Sequence, residues 1–213
     1  MNQEIKTIFW DFDGVLMNSN AVRDKGFELV LKEYPKEQVK LLLDFHQANG
    51  GLSRYVKFSY FFEEVRGEKI TDEQVQVWAD KFSEIMKANL INEDLLIKET
   101  NDFVKANYQN YKMHIVSGSD GNELSKICKG VEISKYFKSI EGSPTPKIEL
   151  VANLLKKHFY DPKACMLIGD SVNDLDAADK NGIFFYGYNN LSLKNKTNNY
   201  IDSFDKDFSR QKI

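Results

Sequence analysis

The chain has 213 residues, 42% of them hydrophobic, with 29 basic against 32 acidic side chains and a formal net charge of −3. Charges so balanced and so evenly spread leave no electrostatic footprint for nucleic acid or an anionic membrane, and no apolar run approaches the roughly 18 residues that a membrane span requires. The length suits one domain or a domain carrying an insertion, with enough apolar material for a substantial core. Cys128 and Cys165 are the only cysteines and lack CxxC or metal-type spacing, so both are expected to be reduced and buried. The start, "MNQEIKTIFW", has no basic segment leading into a long apolar stretch, and a cytoplasmic location is expected. The sequon at Asn190 is what chance gives in an Asn-rich tail.

Residues 5–10 read as the first strand, which ends in "DFDG": Asp11, Asp13 and then Gly14. From 17 to about 90 no strand is evident, and apolar residues recur at helical spacing instead. The stripes are Phe27, Val30, Leu31, Tyr34; Val39, Leu42, Leu43, His46; Tyr55, Phe58, Phe62, Val65; and Val75, Trp78, Phe82, Ile85, Met86. Thr71 with Gln74 forms a capping box for the last of these helices. Further along, "DLLIKETNDFVKAN" reads as a helix, "KMHIVSG" (112–118) as a strand, "SKICKGV" and "PKIELVANLLKKHF" as helices. "KACMLIG" (163–169) is a strand, "NDLDAADKNG" a helix and "GIFFYGY" (182–188) a strand. Strands so apolar are buried on both faces, and the alternation implies an α/β fold built on a Rossmann-like, doubly wound parallel sheet. The expected organisation is a core of residues 1–16 and 91–213 with an all-helical cap, 17–90, inserted after the first strand. The acidic tail "YIDSFDKDF" is expected at the edge or surface of that core.

Open parallel sheets bind ligands beyond the carboxyl ends of their strands. The polar residues gathered there are Asp11 and Asp13 after the first strand, Ser117 and Ser119 after the second, and Asp170 and Asp174 after the third. Four carboxylates are thus expected in one pocket. Two unit charges about 4 Å apart repel by roughly 4 kcal/mol at an effective dielectric near 20, so the group must hold protons or a cation. All-oxygen ligation without a His or Cys favours Mg2+.

"DFDGVL", "IVSGS", a lysine after "GSPTP" and "IGDSVNDLDAA" occur in this order across nearly the whole chain. Together they resemble the haloacid dehalogenase superfamily, in particular its phosphatases with a helical cap inserted after the first motif. The resemblance implies phosphoryl transfer through an aspartyl-phosphate on a small phosphorylated metabolite, with Mg2+ as cofactor. By it Asp11 is the nucleophile, and Asp13 the general acid and base whose backbone carbonyl faces the metal. Ser117 and the backbone N–H groups around Gly118 and Ser119 bind the phosphoryl oxygens, Asp170 ligates the metal, and Asp174 ligates it or supports it from behind. Many capped relatives place the phosphate-binding lysine where this chain has Ser143, and Lys147, at the start of a helix, is the substitute. "NGGLSRYVKF" resembles the cap stretch from which an arginine reaches the substrate, which assigns Arg54 to substrate binding. Relatives that isomerise phosphosugars tend to carry a lysine a few residues before that arginine. Here Asn49, Gly50 and Gly51 stand there instead, which favours hydrolysis over a phosphomutase of the β-phosphoglucomutase type.

Plainer readings stand beside these. Ser117 can cap a helix, Asp174 can serve a helix N-terminus, Lys147 can be an exposed helix lysine, and Arg54 can make a cap ion pair. His46 lies on an apolar stripe and reads as packed or at the cleft edge. The aromatics from Tyr55 to Phe62 read mostly as core. A monomer or weak homodimer without nucleic-acid or membrane partners is expected.

Overall fold

A computed structural model of the chain describes residues 4–204. Its first strand, β1 (Thr7–Trp10), is buried throughout, with Ile8 and Trp10 in one apolar cluster and Phe9 in the other. Side chains alternate across a strand, so β1 is covered by packing on both faces. After the turn at Gly14 come four helices: α1 (Asn20–Val30), α2 (Lys36–Ala48), α3 (Arg54–Tyr60, continued by a wider π-type turn at Phe61–Val65) and α4 (Asp72–Leu90). The Thr71–Gln74 capping box opens α4 as the sequence indicates. Aromatic rings hold these helices together: Phe27 lies 4.4 Å from Phe82 and 5.5 Å from Phe58 between ring centres, and Tyr34 meets Phe61 and Trp78 edge-on.

The chain then alternates as α5 (Lys98–Asn107), β2 (Lys112–Asp120), α6 (Gly121–Gly130), β3 (Ser139–Ser143), α7 (Lys147–His158), β4 (Cys165–Gly169), α8 (Val172–Asn181), β5 (Phe184–Tyr188) and β6 (Tyr200–Ile201). All pairings are parallel, in the order β3-β2-β1-β4-β5-β6. This is the doubly wound α/β sheet expected. α7 and α8 cover one face over Phe9, Val116, Leu167 and Phe185.

Two strands were not visible in the sequence. β3, "SIEGS", carries a single large apolar residue and lies at the sheet edge, where only one neighbour pairs with it, so the buried-strand pattern is absent. β6 is two residues long. It falls in the expected acidic tail, whose Ile201 and Phe204 are buried, while residues 205–208 lie outside the described residues. The helix expected from 94 begins at Lys98, after a short 3-10 turn at Glu93–Leu95. Cys128 and Cys165 are buried free thiols. No helix among the described residues is long and apolar enough to cross a membrane.

Candidate active site

β1 is the centre of the sheet, and its register brings the strand ends level: Trp10 lies opposite Ile115 of β2 and Ile168 of β4. Asp11 follows directly, its N–H donating to the Ile168 carbonyl at 2.9 Å. Asp170 therefore emerges beside Asp11. Between β1 and β4 the chain order reverses, which opens the crevice where doubly wound sheets bind ligands.

Carboxylate oxygens of Asp11, Asp170 and Asp174 all come within 4.8 Å of one another. Lys147, the first residue of α7, is buried and inserts its ammonium among them, 2.7 Å from Asp11 Oδ1 and also bonded to Asp174 Oδ1. Three carboxylates against one ammonium leave two negative charges in a buried site. Burial and the neighbouring Asp174 push Asp11 well above the usual carboxylate range despite Lys147, and burial with Asp174 pushes Asp170 up to about 7. Burial works against the Lys147 charge, but Asp11 and Asp174 outweigh it and raise its pKa. Two buried carboxyls, Asp11 and Asp170, that resist ionisation for want of positive charge fit a divalent cation with oxygen ligands. Asp11 and Asp170 could hold one. Asp174 has less to offer: it forms a capping box with Ser171 at the start of α8 and takes bonds there from Ser171 N (3.0 Å) and Oγ (2.6 Å). Asp174 thus serves a helix N-terminus and anchors Lys147 at once.

Asp13 lines the same cavity as Asp11 and Asp170 but stays outside the carboxylate cluster around Lys147. Its side chain accepts bonds from Ser19, Arg23 and Ser119 Oγ, the last at 2.6 Å. Burial alone would push this carboxyl up, but the Arg23 guanidinium, helped by Ser119 and Ser19, holds it below its ordinary value. The reason is local geometry. Gly14 takes φ +75°, and this turn carries the chain back so that the Met17 carbonyl accepts the Gly14 N–H, which brings Ser19 and α1 over Asp13. A Cβ at Gly14 would run into the Asp170 carboxylate, so glycine is needed for space as well as for conformation.

Ser117, Gly118 and Ser119 lie where the β2–β3 register shifts between Val116 and Asp120, an irregularity that turns backbone away from the ladder. Ser117 Oγ accepts from Ser119 N at 3.1 Å, so that N–H is already engaged. Gly118 sits against the Gly51 carbonyl of the 49–53 loop, with no room for a side chain. Asn190, the sequon residue, donates from Nδ2 to the Asp170 carbonyl at 2.7 Å, and Asn189 does the same to Gly14 at 2.8 Å. Neither anchor was apparent from the sequence.

A cavity of about 440 Å3 lies between these strand ends and the inserted helices, lined by Asp11, Asp13, Ser117, Gly118 and Asp170 on one side and Arg23, Arg54 and Lys57 on the other. Arg54 lines it as expected, but its guanidinium is already spent. Nη1 and Nη2 make a two-pronged bond to Glu123 of α6, Nη1 also reaches Ser83 at 2.6 Å, and the group stacks 4.7 Å over Phe82. Arg54 is therefore a buried ion pair facing the cavity rather than an open anion receptor. Its partner Glu123 was missed, as were Arg23, which shares Glu123, and Lys57. Each sits on an apolar helical stripe, Arg23 one turn before Phe27, Lys57 one turn before Phe61 and Glu123 one turn before Ile127, and a charged residue on such a stripe is the signal that marks them. His46 is buried beside the cavity, Nε2 3.3 Å from Asp24, and burial lowers its pKa to about 3; it packs, as read from its stripe.

Fold and site together define an α/β enzyme with an acidic centre at the switch point of its sheet and a helical insertion facing it. A model of the haloacid dehalogenase-like hydrolases matches residues 8–188, and the chain belongs to that family. It is 28% identical over 206 residues to the phosphoglycolate phosphatase of Mannheimia succiniciproducens, covering 89% of each chain. It is 24% identical to the pyrophosphatase PpaX of Listeria innocua, covering 100% of this chain and 95% of that one. Among solved structures, β-phosphoglucomutase from Clostridium difficile superposes with a TM-score of 0.76 at 18% identity, over 98% of this chain and 96% of that one, a likeness of fold.

Proposed function

We propose that the chain is a Mg2+-dependent phosphoric monoester hydrolase acting on a small phosphorylated metabolite through an aspartyl-phosphate, with residues 17–90 as its cap. The observation that carries this is Lys147, buried between Asp11 and Asp174 with Asp170 alongside. A lone ammonium in a nest of carboxylates holds a nucleophile in place and leaves charge for a cation and a phosphate to complete. Relatives named as phosphoglycolate phosphatases support the substrate class.

In this reading an Asp11 oxygen attacks phosphorus as the bond to the leaving oxygen breaks, and Asp13 supplies that oxygen's proton. Asp13 then takes a proton from water, whose oxygen attacks the same phosphorus, releasing phosphate and restoring Asp11. The Arg23 bond favours the charged form of Asp13 that this second step needs; the proton given in the first step is taken up from solvent beforehand, against that pull. Ser117 and the Gly118 N–H hold the phosphoryl oxygens, and Lys147 offsets their charge. Asp11, the Asp13 backbone carbonyl and Asp170 would hold Mg2+, which would supply positive charge at the transferring group.

The test is phosphate release from phosphoglycolate, sugar phosphates, nucleotides and pyrophosphate, with Mg2+ and with EDTA. Release that requires Mg2+ is expected. Silence across the panel overturns the reading, and isomerised product without free phosphate replaces it with a phosphomutase.

A further inference from the structure

Lys57 is a buried cation with no buried anion of its own. It lies on α3 at 3% exposure and lines the cavity that also holds Asp11 and Ser117. Among the described residues its ammonium has one hydrogen-bond acceptor, the Gly50 carbonyl at 3.3 Å, and no ion-pair partner. The carboxylates within electrostatic reach are committed elsewhere: Asp13 to Arg23, Ser19 and Ser119, and Asp24 to Gln47 with His46 beside it. Glu123 is shared by Arg54 and Arg23. Three cations on the helical side of the cavity thus face two buried carboxylates, Asp13 and Glu123, and a third, Asp24, that is partly exposed to solvent and makes no ion pair with Lys57 among the described residues. Burial, aggravated by Arg23 and Arg54, lowers the Lys57 pKa to about 7.

A second observation agrees. Arg23 Nη2 is buried without a hydrogen-bond partner, although Nε and Nη1 of the same guanidinium are both engaged. Buried donors are nearly always satisfied, and a buried charge persists when something answers it.

We infer that Lys57, with Arg23 beside it, receives a carboxylate of the substrate at the end opposite its phosphate, so that the substrate class is a short phosphorylated carboxylic acid. This rests on the phosphatase reading for the position of the phosphate. One ammonium and one spare guanidinium N–H match the two oxygens and single charge of a carboxylate. A second phosphate, with three oxygens and up to two charges, would find too few donors.

The test is calorimetric binding of phosphoglycolate and of ethyl phosphate, which has a methyl in place of the carboxylate, to the Asp11→Asn protein with Mg2+. We expect the acid to bind at least about tenfold more tightly than the ester, and this ratio to collapse to roughly twofold or less when Lys57→Met is added. Lys57→Gln, which keeps a hydrogen-bond donor, serves as the second variant and is expected to lose most of the ratio too. A ratio near one in the Asp11→Asn parent, a ratio that survives both substitutions, or failure of both ligands to bind overturns the inference. Turnover is measured separately on the unaltered enzyme, so silence there strikes the phosphatase reading while the binding ratio judges Lys57.

Discussion

Asp11 and Lys147 show how a single side chain here carries opposing demands. Asp11 must be charged to attack phosphorus, yet burial and Asp174 resist that charge, and Lys147 offsets only part of the resistance. Asp11→Asn removes the nucleophile and one of the repelling charges together. Phosphate release should fall by at least about 1,000-fold, while the melting temperature without metal stays level or rises. Retained turnover would remove Asp11 from its assigned role. Lys147→Met leaves Asp11, Asp170 and Asp174 without their ammonium, and stripping one partner from a buried pair costs about 3–5 kcal/mol. Urea denaturation in EDTA should show a loss of that order, and Mg2+ should recover part of it by binding the folded form alone. An equal loss with and without Mg2+ would mean that these carboxylates hold no ion.

Between elements, the main tie joins α3 and α1 to α6 through Glu123, which accepts two bonds from Arg54 and one, at 3.2 Å, from Arg23. Tyr55 adds a bond from its hydroxyl to Asp120 at 2.8 Å, and Gly118 lets the Gly51 backbone close against β2. Since Glu123 and Arg54 are buried, removing either one strands the other. Arg54→Ala should therefore cost stability first, in contrast to an arginine that touches only the ligand. In a double-mutant cycle with Glu123→Gln, the two losses should fall short of additive by at least about 1 kcal/mol in denaturant unfolding. Additive losses would show that the pair does not couple these elements in solution.

Across the whole molecule, neutral buried histidines give stability a definite dependence on pH. His114 in β2 is wholly buried, bonded through Nδ1 to Ser139 at 2.8 Å and through Nε2 to Tyr160 at 3.0 Å, and burial lowers its pKa to about 4. In the unfolded chain the same imidazole takes up a proton near its ordinary value of 6.5. Its contribution is thus complete above that pH and disappears as pH falls from 6.5 towards 4. Compared by denaturant unfolding, the stability advantage of the native chain over His114→Gln should shrink across that interval, and a constant gap would contradict the assignment. Asp170, raised to about 7, works in the opposite direction: without metal, the folded state binds its proton first and gains stability as pH falls from 7 towards the ordinary carboxylate value. The comparison with His114→Gln cancels this second effect.

Much of this was legible beforehand because the decisive signals are local. Four apolar strand runs, the Thr71–Gln74 cap, the helical spacing of Phe27, Phe58 and Phe82, and the acids that follow β1 and β4 all lie within a few residues of one another, and chain order fixes which strand ends they occupy. Lys147 could be named but not aimed, since whether an ammonium crosses to Asp11 depends on how α7 lies on the sheet. β3 stayed hidden because an edge strand need not be apolar. The orientation of Asp13, the engagement of Arg54 by Glu123 and the isolation of Lys57 were decided by tertiary structure alone. Each depends on a charge meeting or missing its opposite from a distant segment, and neither the spacing nor the identity of residues records such distances. Sequence determined the fold and the chemistry brought to the strand ends; packing of the helices against the sheet determined which of those charges are satisfied.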